Sequence, residues 1–347
     1  MLAFRLQSRD HSHQEDAVEY KFLGQTGVKV SQLCFGTMSF GDEADEQMSA
    51  QLFRRCRDAG INFFDCANMY SAGRAEEILG KLITGQRNEI VITSKAYFPM
   101  GKDVNARGAS RYHLFNSVNE SLRRLNTDRI DVLFLHRFDD FTALEETLRA
   151  LDDLVSMGKI LYPAASNFAA WQVMKALGVS DLHGWSRFAV LQPMYNLVKR
   201  MAEVEILPMA EAENLGVISY SPLGGGLLSG KYAGGARPEQ GRLLRSLRYK
   251  TRYNEDWMFT AADELKDLSE QIGVHPASLA IAWVGANPAV TAPIIGARNL
   301  DHLEIALKSV EIEMTDYLYE QVSALTPALP PATDRNEERL VDTYGPR

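Results

Sequence analysis

Short apolar runs in the first half of the chain stop on ionisable residues. Ile61-Asn62-Phe63-Phe64 ends on Asp65, Ile90-Val91-Ile92-Thr93-Ser94 on Lys95, and Ile130-Asp131-Val132-Leu133-Phe134-Leu135 on His136. Tyr70 follows Asp65 by five residues. A charged group at the tip of a buried strand must be solvated, paired or used. A carboxylate, an ammonium, an imidazole and a phenol together can handle a proton. A phenol is a poor acid at neutral pH, with an ordinary pKa of about 10. A neighbouring ammonium lowers that value by stabilising the phenolate. Lys95 would supply the ammonium, Asp65 would keep it charged, and His136 would orient a substrate oxygen. Such a set protonates a carbonyl oxygen while hydride reaches its carbon. No side chain gives hydride, so a nicotinamide is expected beside them.

Later segment ends carry residues suited to that cofactor. Ser166, Asn167 and Gln192 are neutral hydrogen-bonding groups able to grip a carboxamide, and Tyr220 offers a flat face for a ring. Leu223-Gly224-Gly225-Gly226-Leu227-Leu228-Ser229-Gly230-Lys231 offers backbone N–H groups and a cation for a pyrophosphate. The spacing from Gly225 to Lys231 approaches that of a P-loop, but Tyr232 stands where Ser or Thr would bind magnesium, which excludes an NTPase. Gly296-Ala297-Arg298, just before a helix start, offers a second anion site.

These residues need a scaffold that brings segment ends together. The runs are short and rich in Ile, Val and Phe, as buried strands are, and helical segments alternate with them. Strands are expected at 33–35, 61–65, 90–95, 130–136, 160–165, 188–191, 217–219 and 290–294. The helices between them are expected at 46–59 and 74–83, then one that follows a long loop, 97–111, and ends near 125, then at 142–156, 171–177, 203–214, 257–272, 276–285 and 301–308. Eight β-then-α units predict an α/β fold, a (β/α)8 TIM barrel whose strand C-termini share one face. An open doubly wound sheet fits less well, because the first unit lacks a G-x-G-x-x-G turn. Tyr20 to Val30 reads as a β-hairpin that plugs or flanks the barrel. The expected layout is a flexible arm over 1–18, a single barrel domain over 19–327, and a tail over 328–347.

The chain has 347 residues, a net charge of -8 and three cysteines. The acidic balance argues against nucleic acid or an anionic membrane as partner. Cys34, Cys56 and Cys66 show no metal or disulfide spacing, so no metal site is expected and a reducing, cytoplasmic setting is the simpler reading. No apolar run is long enough to span a membrane. The start is too weakly apolar for a secretory signal.

The ordered set of motifs resembles the aldo-keto reductases over about Tyr20 to Thr326. It comprises Phe35-Gly36-Thr37-Met38, Phe64-Asp65-Cys66-Ala67-Asn68-Met69-Tyr70, Thr93-Ser94-Lys95, Phe134-Leu135-His136-Arg137, Ser166-Asn167-Phe168, Gln192-Pro193-Met194-Tyr195-Asn196 and Tyr220-Ser221-Pro222-Leu223. The resemblance implies NADPH-dependent, reversible carbonyl reduction with Tyr70 as proton donor. It implies cofactor contacts from Gly36, Thr37, Met38 and Asp65, and from Ser166, Asn167, Gln192 and Tyr220. Ser221, Pro222, Leu223, Gly224, Gly225, Lys231 and Arg242 would hold the pyrophosphate, and Gly296 and Arg298 the adenosine 2′-phosphate. Where the family has Gln, an acidic residue and Asn near the adenine, this chain has His302, Ile305 and Ala306, which weakens the expected preference for NADPH over NADH. The expected partner is a small carbonyl or alcohol. Phe40, Met69, Tyr97 and Phe138 are candidate pocket walls, with loops 97–111 and 234–256 and the tail setting specificity. Two further readings stay open: a non-catalytic NADP(H)-binding regulatory module, and a lyase forming a Schiff base on Lys95.

Overall fold

The computed structural model of the chain describes residues 18–235, 241–335 and 337. The expected arm, apart from Val18, and the last ten residues of the expected tail lie outside them. Among the described residues ten strands form two sheets. β1 (Tyr20–Phe22) and β2 (Lys29–Ser31) make an antiparallel hairpin. β3 (Cys34–Gly36), β4 (Phe63–Asp65), β5 (Val91–Ala96), β6 (Ile130–Leu135), β7 (Ile160–Ser166), β8 (Val190–Gln192), β9 (Gly216–Ser219) and β10 (Ala292–Ile295) are parallel. They close in the order β10-β3-β4-β5-β6-β7-β8-β9, an eight-stranded TIM barrel.

Parallel strands buried on both faces need apolar side chains throughout. One set fills the space between barrel and helices, including Phe35, Phe64, Ile92, Leu133 and Leu151. The other set, Phe63, Val132, Phe134, Ala164, Val190, Ile218 and Ala292, packs with Leu23 and Val30 of the hairpin. Leu23 and Val30 have no exposed surface. The hairpin therefore stoppers the barrel at the end where the strands begin. Gly24 lies so close there that a Cβ on it would sit 2.4 Å from the Gly216 nitrogen. Tyr162 on β7 donates to the Thr26 carbonyl across the same contact, at 3.2 Å.

The register matters at the other end. Gly36 pairs with Asp65, Asp65 with Thr93, Lys95 with Phe134 and Ser166 with Gln192. Side chains on neighbouring tips thus stand level around the barrel mouth.

Several sequence expectations need correction. The helix expected to stop at Gly178 runs from Ala170 to His183 and ends at Gly184, whose φ is +65°. A lone glycine inside a helix costs only about 1 kcal/mol, and Val173, Ala176, Leu177 and Ser180 carry the buried face past it. The expected helix 203–214 shortens to Ile206–Ala212 behind a 3-10 turn at Met201–Glu203. The basic loop before Tyr253 contains short helices at Arg242–Arg245 and Leu247–Arg252. A helix at Asp316–Ser323, absent from the sequence reading, is capped by Thr315.

Candidate active site

Asp65 closes β4, and Lys95 is the penultimate residue of β5. Lys95 is fully buried. Its Nζ donates to Asp65 Oδ1 at 2.7 Å, to Oδ2 at 2.6 Å and to the Cys66 carbonyl at 2.7 Å. The same nitrogen lies 3.2 Å from the Tyr70 phenol oxygen. Asp65 Oδ1 also accepts from Thr93 Oγ1 at 2.7 Å and Gln192 Nε2 at 2.8 Å. Thr37 donates its backbone N–H and its hydroxyl to the Asp65 carbonyl, at 2.8 and 3.0 Å. A buried carboxylate with this many donors is fixed in place and keeps its partner charged. Burial works against the Lys95 ammonium, but Asp65 and Tyr70 outweigh it and hold the group above the usual lysine value.

At Tyr70 burial outweighs the Lys95 ammonium, which acts in the expected direction. Burial pushes the phenol up to about 12, while the Lys95 charge pulls it down and Asp65 adds to the rise. Desolvation of the phenolate therefore exceeds the help of one ammonium that Asp65 already largely neutralises. The backbone after Tyr70 is left-handed at Ser71 (φ +48°), Ala72 (φ +53°) and Gly73 (φ +94°). Ser71 Oγ donates to the Phe40 carbonyl at 2.8 Å, which anchors the bend.

His136 follows β6. Its ring stands edge-on to Tyr70, centroids 6.3 Å apart, and to Phe98 at 4.9 Å. Burial, then Lys95 and Arg248, lower its pKa to about 3, so the imidazole is neutral. Its buried Nδ1 has no hydrogen-bond partner among the described residues. The structure thus brings Asp65, Tyr70, Lys95 and His136 into one cluster.

The neutral groups form a chain beside it. Ser166 Oγ donates to the Gln192 carbonyl at 3.0 Å. Asn167 Nδ2 donates to the His136 carbonyl and to Ser166 Oγ, both at 3.0 Å, and the Tyr220 hydroxyl donates to Asn167 Oδ1 at 2.7 Å. Beyond Tyr220 the backbone turns left-handed at Ser221, Gly224, Gly225 and Gly226. Buried Asn196 donates to the Ser221 carbonyl at 2.9 Å and to the Tyr253 hydroxyl at 3.2 Å, which holds the loop's start. A Cβ on Gly225 would sit 2.6 Å from Tyr249 Cδ1, and one on Gly226 2.8 Å from Lys231 Nζ. The left-handed backbone there favours glycine, and the Gly224 and Gly226 N–H groups donate within the loop, to the Ser221 and Leu223 carbonyls, both at 2.9 Å, which tightens the turn.

Cations gather at the far end. Arg242 and Arg298 both reach Glu43, at 3.4 and 3.5 Å. Burial and then Arg298 and Arg242 lower the Lys231 ammonium, and burial, Arg298 and Lys231 lower His302. A tight glycine turn flanked by Lys231, Arg242 and Arg298 is suited to an anionic ligand.

Other candidates divide. Met38 is 38% exposed, and Gly296 borders open space. A Cβ on Gly36 would sit 2.8 Å from Ile294 Cγ2, so that glycine serves packing between β3 and β10. Phe40 is no pocket wall: it is fully buried against Phe35. Phe138 packs edge-on against Phe168. Sequence reasoning passed over Thr93, Phe98 and Glu43. Thr93 was findable, because it lies two residues before Lys95 and so on the same strand face. Nothing local marks Glu43. Among the described residues no group of His, Cys, Asp and Glu could hold a metal, and no helix is long and apolar enough to cross a membrane.

The aldo/keto reductase family profile matches residues 32–327. An uncharacterized oxidoreductase, YrpG, of Bacillus subtilis (strain 168) is 36% identical over 325 residues, covering 89% of this chain and 96% of its own. A probable voltage-gated potassium channel subunit beta of Arabidopsis thaliana is 37% identical over 303 residues, 85% of this chain and 92% of its own. A versiconal hemiacetal acetate reductase of Aspergillus parasiticus is 32% identical over 325 residues, 86% and 94%. With the closed barrel and the shared length of the match, this chain belongs to the aldo/keto reductase family.

Proposed function

We propose that the protein reduces an aldehyde or ketone to an alcohol, reversibly, with NADPH as cofactor and Tyr70 as general acid and base. The observation that carries this reading is the buried Lys95 ammonium, 3.2 Å from the Tyr70 phenol and clamped by Asp65. The bound dinucleotide would supply hydride to the carbonyl carbon. The remaining work falls to the chain. Tyr70 holds a proton at its phenol oxygen throughout the neutral range, because burial places its pKa at about 12. A carbonyl oxygen that becomes an alkoxide is basic enough to take that proton. Lys95 then faces the new phenolate and stabilises it. Neutral His136 donates to the same substrate oxygen and aligns it, with Phe98 fixing the ring. Ser166, Asn167 and Gln192 bind the carboxamide, Tyr220 lies against the ring, and Gly224 to Lys231 with Arg242 hold the phosphates.

A Schiff base on Lys95 fits poorly, since its nitrogen is protonated and already donates to Asp65 and Cys66. The buried free thiols of Cys34, Cys56 and Cys66 favour a reducing, cytoplasmic setting, and the one closed barrel favours a single domain over 19–327.

The test is Tyr70→Phe. Aldehyde reduction should fall at least about a hundredfold, while NADPH fluorescence titration should give the wild-type affinity. Likeness to a protein named as a channel subunit favours a second reading, a regulatory dinucleotide-binding module. Tight NADPH binding with no turnover on a broad panel of aldehydes, ketones and alcohols would select it.

A further inference from the structure

Glu43 is the acidic residue placed among the basic groups at the far end of the groove. It sits in a tight turn after β3. Ala44 donates its N–H to the Ser39 carbonyl at 2.9 Å, and Gly41 donates to the Ala44 carbonyl at 2.8 Å. Ser39 Oγ is tied to the Ala297 carbonyl at 2.7 Å, which fastens this turn to the segment carrying Arg298. Phe40 and Ala44 on either side are buried. The carboxylate is thus presented from rigid backbone, with its side chain about one-quarter exposed (27%). One oxygen faces Arg298 at 3.5 Å and the other faces Arg242 at 3.4 Å. These separations are longer than a good charge-assisted hydrogen bond, so neither guanidinium is saturated. Glu43 also acts electrostatically on Lys231 and, beside Asp301, on His302, so its charge reaches each basic group of the cluster.

We propose that Glu43 reads the 2′ position of the adenosine ribose: its carboxylate accepts a 2′-hydroxyl and opposes a 2′-phosphate, narrowing the preference for NADPH over NADH. The inference rests on the dinucleotide reading above. Its logic is electrostatic. A carboxylate is a hydrogen-bond acceptor only, which suits a ribose hydroxyl, whereas an arginine suits a phosphate. Here both stand side by side. A dianionic phosphate approaching Arg298 must share it with Glu43 and bear like-charge repulsion at close range. A hydroxyl meets an acceptor on Glu43 and leaves the ion pairs intact. The side chains at Ile305 and Ala306 offer no polar group that would restore discrimination.

The experiment compares wild type with Glu43→Gln, which keeps shape and removes charge, and with Glu43→Ala. Binding of NADPH, NADH, adenosine 2′,5′-bisphosphate and 5′-AMP is measured by fluorescence and calorimetry, without substrate. Glu43→Gln should raise the NADPH-to-NADH affinity ratio about tenfold. It should tighten the bisphosphate and leave 5′-AMP unchanged or weaker. Glu43→Ala should shift the ratio the same way. An unchanged ratio in both variants overturns the inference and spares the dinucleotide reading. An equal weakening of all ligands also overturns it, reducing Glu43 to a link between the turn and the Arg242 segment. Failure of wild type to bind either dinucleotide sinks both readings together.

Discussion

Replacing Lys95 by Met leaves the Asp65 carboxylate buried beside Thr93 and Gln192 with no cation. Breaking a buried pair in this way costs about 3–5 kcal/mol, so urea denaturation of Lys95→Met should show a loss of that size. Loss of activity should accompany it. His136 carries a second prediction at this scale. Its folded pKa of about 3 lies below the ordinary 6.5. Between those values the unfolded ring binds a proton and the folded ring does not. The stability it contributes is complete above 6.5 and drains away as pH falls toward 3, with a slope of at most about 1.4 kcal/mol per pH unit. Urea midpoints from pH 4 to 8 should fall less steeply on the acid side in His136→Gln than in wild type. The residue types were legible in the sequence, because ionisable groups end apolar runs at Asp65, Lys95 and His136. The balance of forces on Tyr70 was not, since desolvation depends on everything packed around it.

Elements decide whether the cofactor groove keeps its form. The glycines from Gly224 to Gly226 are left-handed, and Gly225 faces the Tyr249 ring. Gly225→Ala should push Tyr249 away and strain the turn, lowering stability by about 1–3 kcal/mol and weakening dinucleotide binding. Fluorescence titration and thermal unfolding on the same sample check both. Element types along the barrel were readable from period and composition, while their ends were not. Gly178 looked like a stop because local propensity disfavours it, yet the helix buries Ser180 beyond it. In the helix at Asp316–Ser323 Val322 is fully buried, and Leu318 and Tyr319 pack part-buried against the core. Its support is tertiary: Trp283 Nε1 donates to Ser323 Oγ at 2.9 Å, and Tyr319 stacks on Trp283.

At the scale of the whole molecule, chemistry and closure sit at opposite ends of the barrel. The hairpin around Leu23 fills the end where strands begin, and the quartet occupies the end where they finish. Leu23→Ala should cost about 2–5 kcal/mol by opening a cavity. Steady-state KM for a carbonyl substrate should stay at the wild-type value, since the strand tips keep their register. The barrel was legible because each unit repeats strand then helix. The hairpin's role as a stopper was only half legible, because its partners, such as Phe134 and Ile218, lie far away in the chain.

The left-handed bend at Ser71, Ala72 and Gly73 has a bearing on how such a site could arise. Possessing the right four side chains is insufficient, because the chain leaving Tyr70 must also turn through Ser71, Ala72 and Gly73, with Ser71 tied to the Phe40 carbonyl, before the helix at Arg74 begins. A tyrosine aimed inward has to be acquired together with torsions that ordinary side chains resist. Copying the quartet onto another barrel without that twist should yield a well-folded protein with an idle tyrosine.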